Sequence, residues 1–162
     1  MPHLHLSIQS GDDMILKRMK RRHNSKDVFE FVEHCKKIRE DVSFGADIIA
    51  GFPTETDEMF DNTYRLLKEN EISHLHIFPF SPKNNTPASR MPQVSKLIIK
   101  KRAKNLRELG ELILKKVKSK LFLPREVLIE ELNLGLAVGY DQNYIKHKVP
   151  LVGVPVGEIV RI

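Results

Sequence analysis

His3-Leu4-His5-Leu6-Ser7-Ile8-Gln9-Ser10-Gly11 alternates apolar and polar residues almost from the start of the chain. Successive side chains of a strand point to opposite faces, so Leu4, Leu6 and Ile8 share one face and His3, His5, Ser7 and Gln9 the other. His74-Leu75-His76-Ile77-Phe78-Pro79-Phe80 repeats the pattern, with His74 and His76 on one face. Phe44-Gly45-Ala46-Asp47-Ile48-Ile49-Ala50 sets a lone Asp47 in a run otherwise apolar or glycine. Helical segments separate the three stretches, which favours parallel βαβ packing with both faces covered. Polar side chains on such strands point into a barrel lumen or a crevice at the strand ends, where α/β folds bind ligands.

Composition bounds the rest. A chain of 162 residues can bury a real core, with room for one domain or for a domain and a small appendage. The apolar runs are only a few residues long, so neither a membrane span nor a signal peptide is expected, and the reading is of a soluble, cytoplasmic protein. The single cysteine, Cys35, leaves no internal disulfide, and it falls on the stripe Val28, Phe31, Val32, Cys35, Ile38 as a small core residue. The formal charge is +6, but residues 93–125 hold 11 basic and 2 acidic groups and so carry all of the excess. A local basic stripe of this kind suits a polyanion such as RNA, although a solvated helix face would look the same.

In order along the chain, Asp12-Asp13 opens a short helix that ends in the cations from Lys17 to His23. Ser25 is placed to cap a helix over about 26–40, followed by a strand over about 43–50. Gly51-Phe52-Pro53-Thr54-Glu55-Thr56 then turns the chain into a helix over about 57–69, a glycine after a strand allowing close approach of a ligand to the backbone. The third strand ends in the loop Ser81 to Ala88. A long helix over about 93–121 has Leu106, Leu109, Ile113 and Val117 on its apolar face, weakened a little by Gly110. Beyond Pro124 the period switches to alternation over 127–132, with further short strands at about 136–140, 144–149 and 156–162, as in a small antiparallel barrel. Tyr140, Asn143 and Tyr144 offer aromatic and amide groups near a turn that could meet RNA bases, or simply pack.

Two His-x-His pairs with Asp47 between them are the raw material of a metal site, which would make the protein a metal-dependent barrel hydrolase. Structural or hydrogen-bonding histidines are the commoner outcome, and no residue is assigned as a metal ligand. Three βα units cannot close a (β/α)₈ barrel, which takes typically about 250 residues, so a partial barrel is expected.

In combination and order, the motifs resemble the radical S-adenosylmethionine methylthiotransferases that modify tRNA. The resemblance rests on Ser7-Ile8-Gln9-Ser10-Gly11-Asp12-Asp13 with Leu16 to His23, on Asp47 to Thr56, and on Phe80-Ser81-Pro82 through Thr86-Pro87-Ala88. From about residue 122, Gly139-Tyr140 and Asn143-Tyr144-Ile145 are similar to the small β-barrel RNA-binding TRAM domain that ends these enzymes. Arg90-Met91-Pro92-Gln93-Val94 points to the branch acting on N6-threonylcarbamoyladenosine beside the anticodon; the isopentenyl adenosine branch is the alternative.

The resemblance implies an α/β chain divided into a partial radical SAM barrel of three βα units (1–92), a basic linker helix (93–121) and an incomplete TRAM-like domain (122–162). It implies S-adenosylmethionine and two 4Fe-4S clusters as cofactors of the full-length enzymes. Gln9, Ser10, Gly51, Phe52, Pro53 and Glu55 match the cofactor-lining positions, acting by orientation and adenosine binding. Lys100, Lys101, Arg102 and Lys104, with Tyr140, Asn143 and Tyr144, are the candidate contacts to a tRNA anticodon stem-loop. The family's cluster cysteines, three in a CxxxCxxC loop and three more in an N-terminal domain, have no counterpart here, and thiolates are what hold such clusters. No catalytic residue is therefore assigned, and the chain by itself is expected to be inactive. A separate N-terminal polypeptide would complete it, or it is a non-enzymatic RNA-binding remnant. Thr54 and Asn85 stand where the family has glycine.

Overall fold

The computed structural model describes residues 1–121, 124–133, 135–150 and 153–162. The expected boundary at residue 122 lies outside them. Strand β1 (His3–Gln9) leads through α1 (Asp13–Arg18) and α2 (Ser25–Ile38) to β2 (Ser43–Ala50), and α3 (Asp57–Glu69) leads to β3 (His74–Pro79). The three strands form a parallel sheet in the order β1-β2-β3, with His5 opposite Gly45 and His76 opposite Asp47. After a 3₁₀ turn at Pro87–Arg90 comes α4 (Lys96–Lys120).

Each helix starts where its sequence supplies an acceptor for the unpaired N–H groups of the first turn. Asp12 accepts from the Ile15 N–H at 3.0 Å and Thr56 from Met59 at 3.2 Å. The cap of α2 is Asn24, not Ser25: Asn24 and Asp27 bond each other's backbone N–H reciprocally, a capping box that Ser25 cannot make from its position.

Phe44, Ala46, Ile48 and Ala50 of β2 are buried under α2, α3 and α4, together with Val32, Leu67, Leu106, Leu109 and Ile113. Cys35 packs against this core, as expected. Phe31 and Ile38 do not: they are 45% and 73% exposed. Helix α2 lies against β1, which among the described residues is an edge strand with no neighbour on its outer side. Gly110 lets α4 come close to β3, since a Cβ there would meet the Leu75 side chain at 3.3 Å.

The remaining strands, β4 (Glu126–Asn133), β5 (Leu136–Asp141), β6 (Lys146–Val149) and β7 (Ile159–Arg161), form an antiparallel sheet in the order β6-β5-β4-β7. Val127, Ile129 and Ala137 make its small core. Gly139 sits beside the register shift in β4, where a Cβ would come within 2.0 Å of the Leu128 carbonyl oxygen. No helix among the described residues is long and apolar enough to cross a membrane.

Candidate functional site

The carboxyl ends of the parallel strands carry the first group of candidate residues. Gln9 ends β1 in the left-handed region, φ 69°, just where the register between β1 and β2 slips. Ser10 is buried, and its hydroxyl accepts from the Asp12 N–H at 3.2 Å and lies 3.2 Å from the Thr63 hydroxyl. Gly11 donates to that same Thr63 oxygen at 2.9 Å; a Cβ on Gly11 would lie 2.7 Å from the Thr63 Cα, so the strand end and α3 touch through a residue without a side chain.

After β2, Gly51 takes φ 76° with Ile99 of α4 directly against it. Its N–H donates to the Glu55 carboxylate at 2.9 Å, folding the loop back on itself. Arg102 Nη1 donates to the same carboxylate oxygen at 2.8 Å and to the Glu55 carbonyl at 3.1 Å, and Nη2 reaches Asp57 at 2.7 Å. Burial holds the Glu55 carboxyl above its ordinary pKa even though Arg102 and the Gly51 N–H pull it back. Arg102 is only 5% exposed, so it belongs to this loop and not to the exposed RNA face for which it was a candidate. Pro53 is buried, and Phe52 packs edge-on against Phe80 from the end of β3, 5.4 Å between centroids.

Thr54 and Asn85, at the positions where glycine was expected, both adopt positive φ, 68° and 65°. The loops thus have the left-handed backbone that a glycine would take, at the cost of strain at the β-branched Thr54. The Thr54 N–H donates to the Pro92 carbonyl at 3.0 Å, tying the loop to the segment before α4.

Lys100, Lys101 and Lys104 lie on the outer face of α4, and Lys104 is 3.6 Å from Glu108 in an exposed pair. A cleft of about 420 Å³ beside them is lined by Phe80, Pro82, Val94, Ile99, Lys100 and Arg107.

The third group is divided. Tyr140 and Tyr144 face each other at 5.6 Å, with the Lys146 ammonium over the Tyr140 ring. Asn143 is buried: its amide donates to the carbonyls of Pro2 at 3.2 Å and Asp41 at 2.6 Å, and its own carbonyl accepts from the Ser43 hydroxyl at 3.0 Å. It fastens the antiparallel sheet to the amino ends of the parallel strands, so it is not an open RNA contact. Asp141 organises this turn by accepting from the N–H groups of Asn143 and Ile145, from His147 and from Arg125. Burial alone would raise its pKa, but these bonds outweigh burial and lower it.

The histidine pairs also split. His3 bonds the Ser43 hydroxyl at 2.8 Å and stacks on Tyr144, while His74 donates to the Tyr144 carbonyl at 3.1 Å. Burial, helped by His74 and His5, lowers the pKa of His3 to about 4, and burial lowers that of His74, so both imidazoles are neutral and structural near neutral pH. His5 and His76 turn instead toward Asp47.

The role of Arg102 could have been read from spacing alone. It falls on the stripe Ile99, Arg102, Ala103, Leu106, whereas Lys101 and Lys104 fall outside it.

Residues 1–67 match the family model described as the Radical SAM superfamily. The chain is 52% identical over 154 residues to the threonylcarbamoyladenosine tRNA methylthiotransferase MtaB of Rickettsia prowazekii, covering 92% of this chain and 35% of that protein. It is 41% identical to the enzyme of the same name from Thermotoga maritima, covering 97% of this chain and 36% of the relative. The tRNA-2-methylthio-N(6)-dimethylallyladenosine synthase of Ehrlichia canis is 40% identical over 110 residues, 67% of this chain and 25% of that protein. The mixed architecture, with its parallel three-stranded sheet, fits part of a radical SAM unit. The chain belongs to the radical SAM tRNA methylthiotransferases and spans about a third of the length of the relatives it matches over nearly all of its own.

Proposed function

We propose that the chain forms part of a cytoplasmic methylthiotransferase that adds a methylthio group to C2 of N6-threonylcarbamoyladenosine beside the tRNA anticodon. The observation that carries this reading is the 52% identity to the Rickettsia prowazekii enzyme, which runs through both sheets of this chain. The proposed division is a partial barrel over 1–92, the basic helix over 93–121 and a TRAM-like RNA-binding domain over 122–162. In that division α4 does more than link, because Leu106, Leu109 and Ile113 are part of the main core.

The residues present do not fit an iron–sulfur cluster. Such clusters need several thiolates, and the sequence has one, Cys35, half-buried on α2. The strand-end loops fit S-adenosylmethionine better, since Gln9, Thr54 and Asn85 supply left-handed turns there. Bound S-adenosylmethionine would supply the 5′-deoxyadenosyl group for the radical chemistry after which the family is named, with the electron for its cleavage coming from an iron–sulfur cluster held by residues outside this chain. Gln9, Ser10, Gly51, Phe52 and Pro53 would hold it. Ser10 and Glu55 act chiefly by shaping the backbone, because their side chains are committed to Thr63, Gly51 and Arg102.

The edge of β1, unpaired among the described residues, and the exposed Phe31 beside it support a barrel completed by a separate N-terminal polypeptide. Lys100, Lys101 and Lys104, with Tyr140 and Tyr144, are the proposed contacts to the anticodon stem-loop. The test joins this chain to the part of the Rickettsia prowazekii relative that precedes the matched region. The chimera is expressed in cells lacking the modification, and tRNA nucleosides are measured by mass spectrometry. The 2-methylthio derivative of threonylcarbamoyladenosine is the expected product. Its absence, with the intact relative active in the same cells, overturns the reading.

A further inference from the structure

His5, Asp47 and His76 come from three adjacent strands and meet on the polar face of the parallel sheet. His5 Nε2 lies 3.0 Å from Asp47 Oδ1, and His76 Nδ1 lies 3.3 Å from the same oxygen. The imidazole centroids are 4.8 Å apart, and one donor atom from each residue falls within 4.8 Å of the other two. Gly45, opposite His5, makes this possible: a Cβ there would come within 2.6 Å of His5 Nδ1 and push the ring off the sheet.

We infer that these three side chains form a binding site for a divalent transition ion of the Zn²⁺ or Co²⁺ type. With metal–donor bonds of about 2.0–2.1 Å, neighbouring donors of a tetrahedral centre stand roughly 3.3 Å apart. Both nitrogen–oxygen edges already have about that length, so rotation of the rings about their side-chain bonds completes the triangle. Two imidazoles and one carboxylate form a borderline donor set that suits such ions and discriminates against Mg²⁺ and Ca²⁺, which take oxygen ligands. The side chains are 34%, 29% and 64% exposed for His5, Asp47 and His76, which leaves the fourth position open to water or an oxyanion. The donors stand on a hydrogen-bonded sheet, a rigid base for a preformed site. The site uses one histidine from each His-x-His pair; the other two, His3 and His74, are occupied by Ser43 and Tyr144. This inference is independent of the proposed tRNA reaction.

The test strips the full chain with a chelator and titrates it with Co²⁺ near neutral pH, following the visible d–d bands, then displaces the Co²⁺ with Zn²⁺. The expected result is one Co²⁺ per chain, with nitrogen–oxygen bands and no thiolate charge-transfer band. His76→Ala and Asp47→Asn should each weaken binding by at least about tenfold. His34→Ala and Cys35→Ser should leave it unchanged. His76 is mostly exposed, so its replacement spares the fold, and a rise in Tm on adding Zn²⁺ that His76→Ala abolishes is a second readout. Failure to bind Co²⁺ at millimolar metal, or binding that survives His76→Ala, overturns the inference and leaves a His5–Asp47 hydrogen bond with His76 beside it.

Discussion

Arg102 of α4 donates to the Glu55 carboxylate at 2.8 Å across 47 residues of sequence, and both side chains are almost wholly buried. The contact joins the helix that bears the basic face to the loop after β2 that faces the proposed cofactor side. Because burial keeps the Glu55 carboxyl above its ordinary pKa, the pair's main effect is to fix position, not to add stability.

Arg102→Ala leaves Glu55 as a buried charge without its partner. Breaking such a pair typically costs about 3–5 kcal/mol, and urea unfolding should show a loss of that order. A replacement of both residues, Arg102→Met with Glu55→Leu, should recover much of the stability without restoring the loop conformation at Gly51, which amide exchange reports. Equal losses from the single and double variants would show that the buried charge is not the cause.

Lys100, Lys101 and Lys104 are on the opposite face of α4. Replacing all three with glutamate should leave the Tm close to the wild-type value, since surface charges contribute little to folding. Affinity for an anticodon stem-loop RNA should fall by about tenfold or more at low salt, with a shallower dependence on salt concentration. Unchanged RNA affinity would remove this helix from the interface.

Thr54 is a β-branched residue at φ 68°. Thr54→Gly relieves about 1–2 kcal/mol of left-handed strain against a smaller entropic loss, for a net gain of about 1 kcal/mol. Asn85→Gly should gain less, because asparagine tolerates this region. Thermal melts of the two variants check the order.

Asn143→Ala removes the amide that bonds the Pro2 and Asp41 carbonyls. The Pro2 carbonyl keeps the Ser43 N–H at 2.8 Å while the Asp41 carbonyl loses its side-chain donor, so the cost should be about 1 kcal/mol, and NMR shift changes should centre on His3, Ser43 and Tyr144, which line the same junction.

Much of this fold is readable from residue spacing. The strands around Leu6, Ile48 and Ile77 and the helices carrying Phe60 and Leu109 fall where the two periodicities put them. What spacing could not show is which polar groups the folded chain would consume. Asn143 looks like an RNA contact in a turn, yet its partners lie 141 and 102 residues away. Arg102 reads as one cation in a basic run until its place on the apolar stripe is weighed more heavily than its charge. The His-x-His pairs were legible as pairs, but their division into an outer structural couple and an inner couple on Asp47 depends on the strand register. Phe31 and Ile38 satisfy the rule for a buried helix face and are nonetheless exposed, because helical period says nothing about where the sheet beneath ends.

Glu71 gives the pH dependence. It follows α3 at φ 55°, and its carboxylate receives Lys116 at 2.7 Å and Lys120 at 2.8 Å from the end of α4. Burial alone would raise its pKa, but the two ammonium groups outweigh burial and bring it to about 2, from an ordinary 4.5. A carboxyl depressed in the folded state contributes stability that is complete above pH 4.5 and lost as pH falls toward 2. Glu71→Gln should therefore lower Tm near neutral pH, and the gap to wild type should narrow steadily below pH 4.5. Salt should shrink the neutral-pH gap, since both lysines are more than half exposed. A gap that persists unchanged in acid would mean that Glu71 acts through its backbone conformation, and Glu71→Gly, which relieves the left-handed strain while losing both lysine contacts, separates the two contributions.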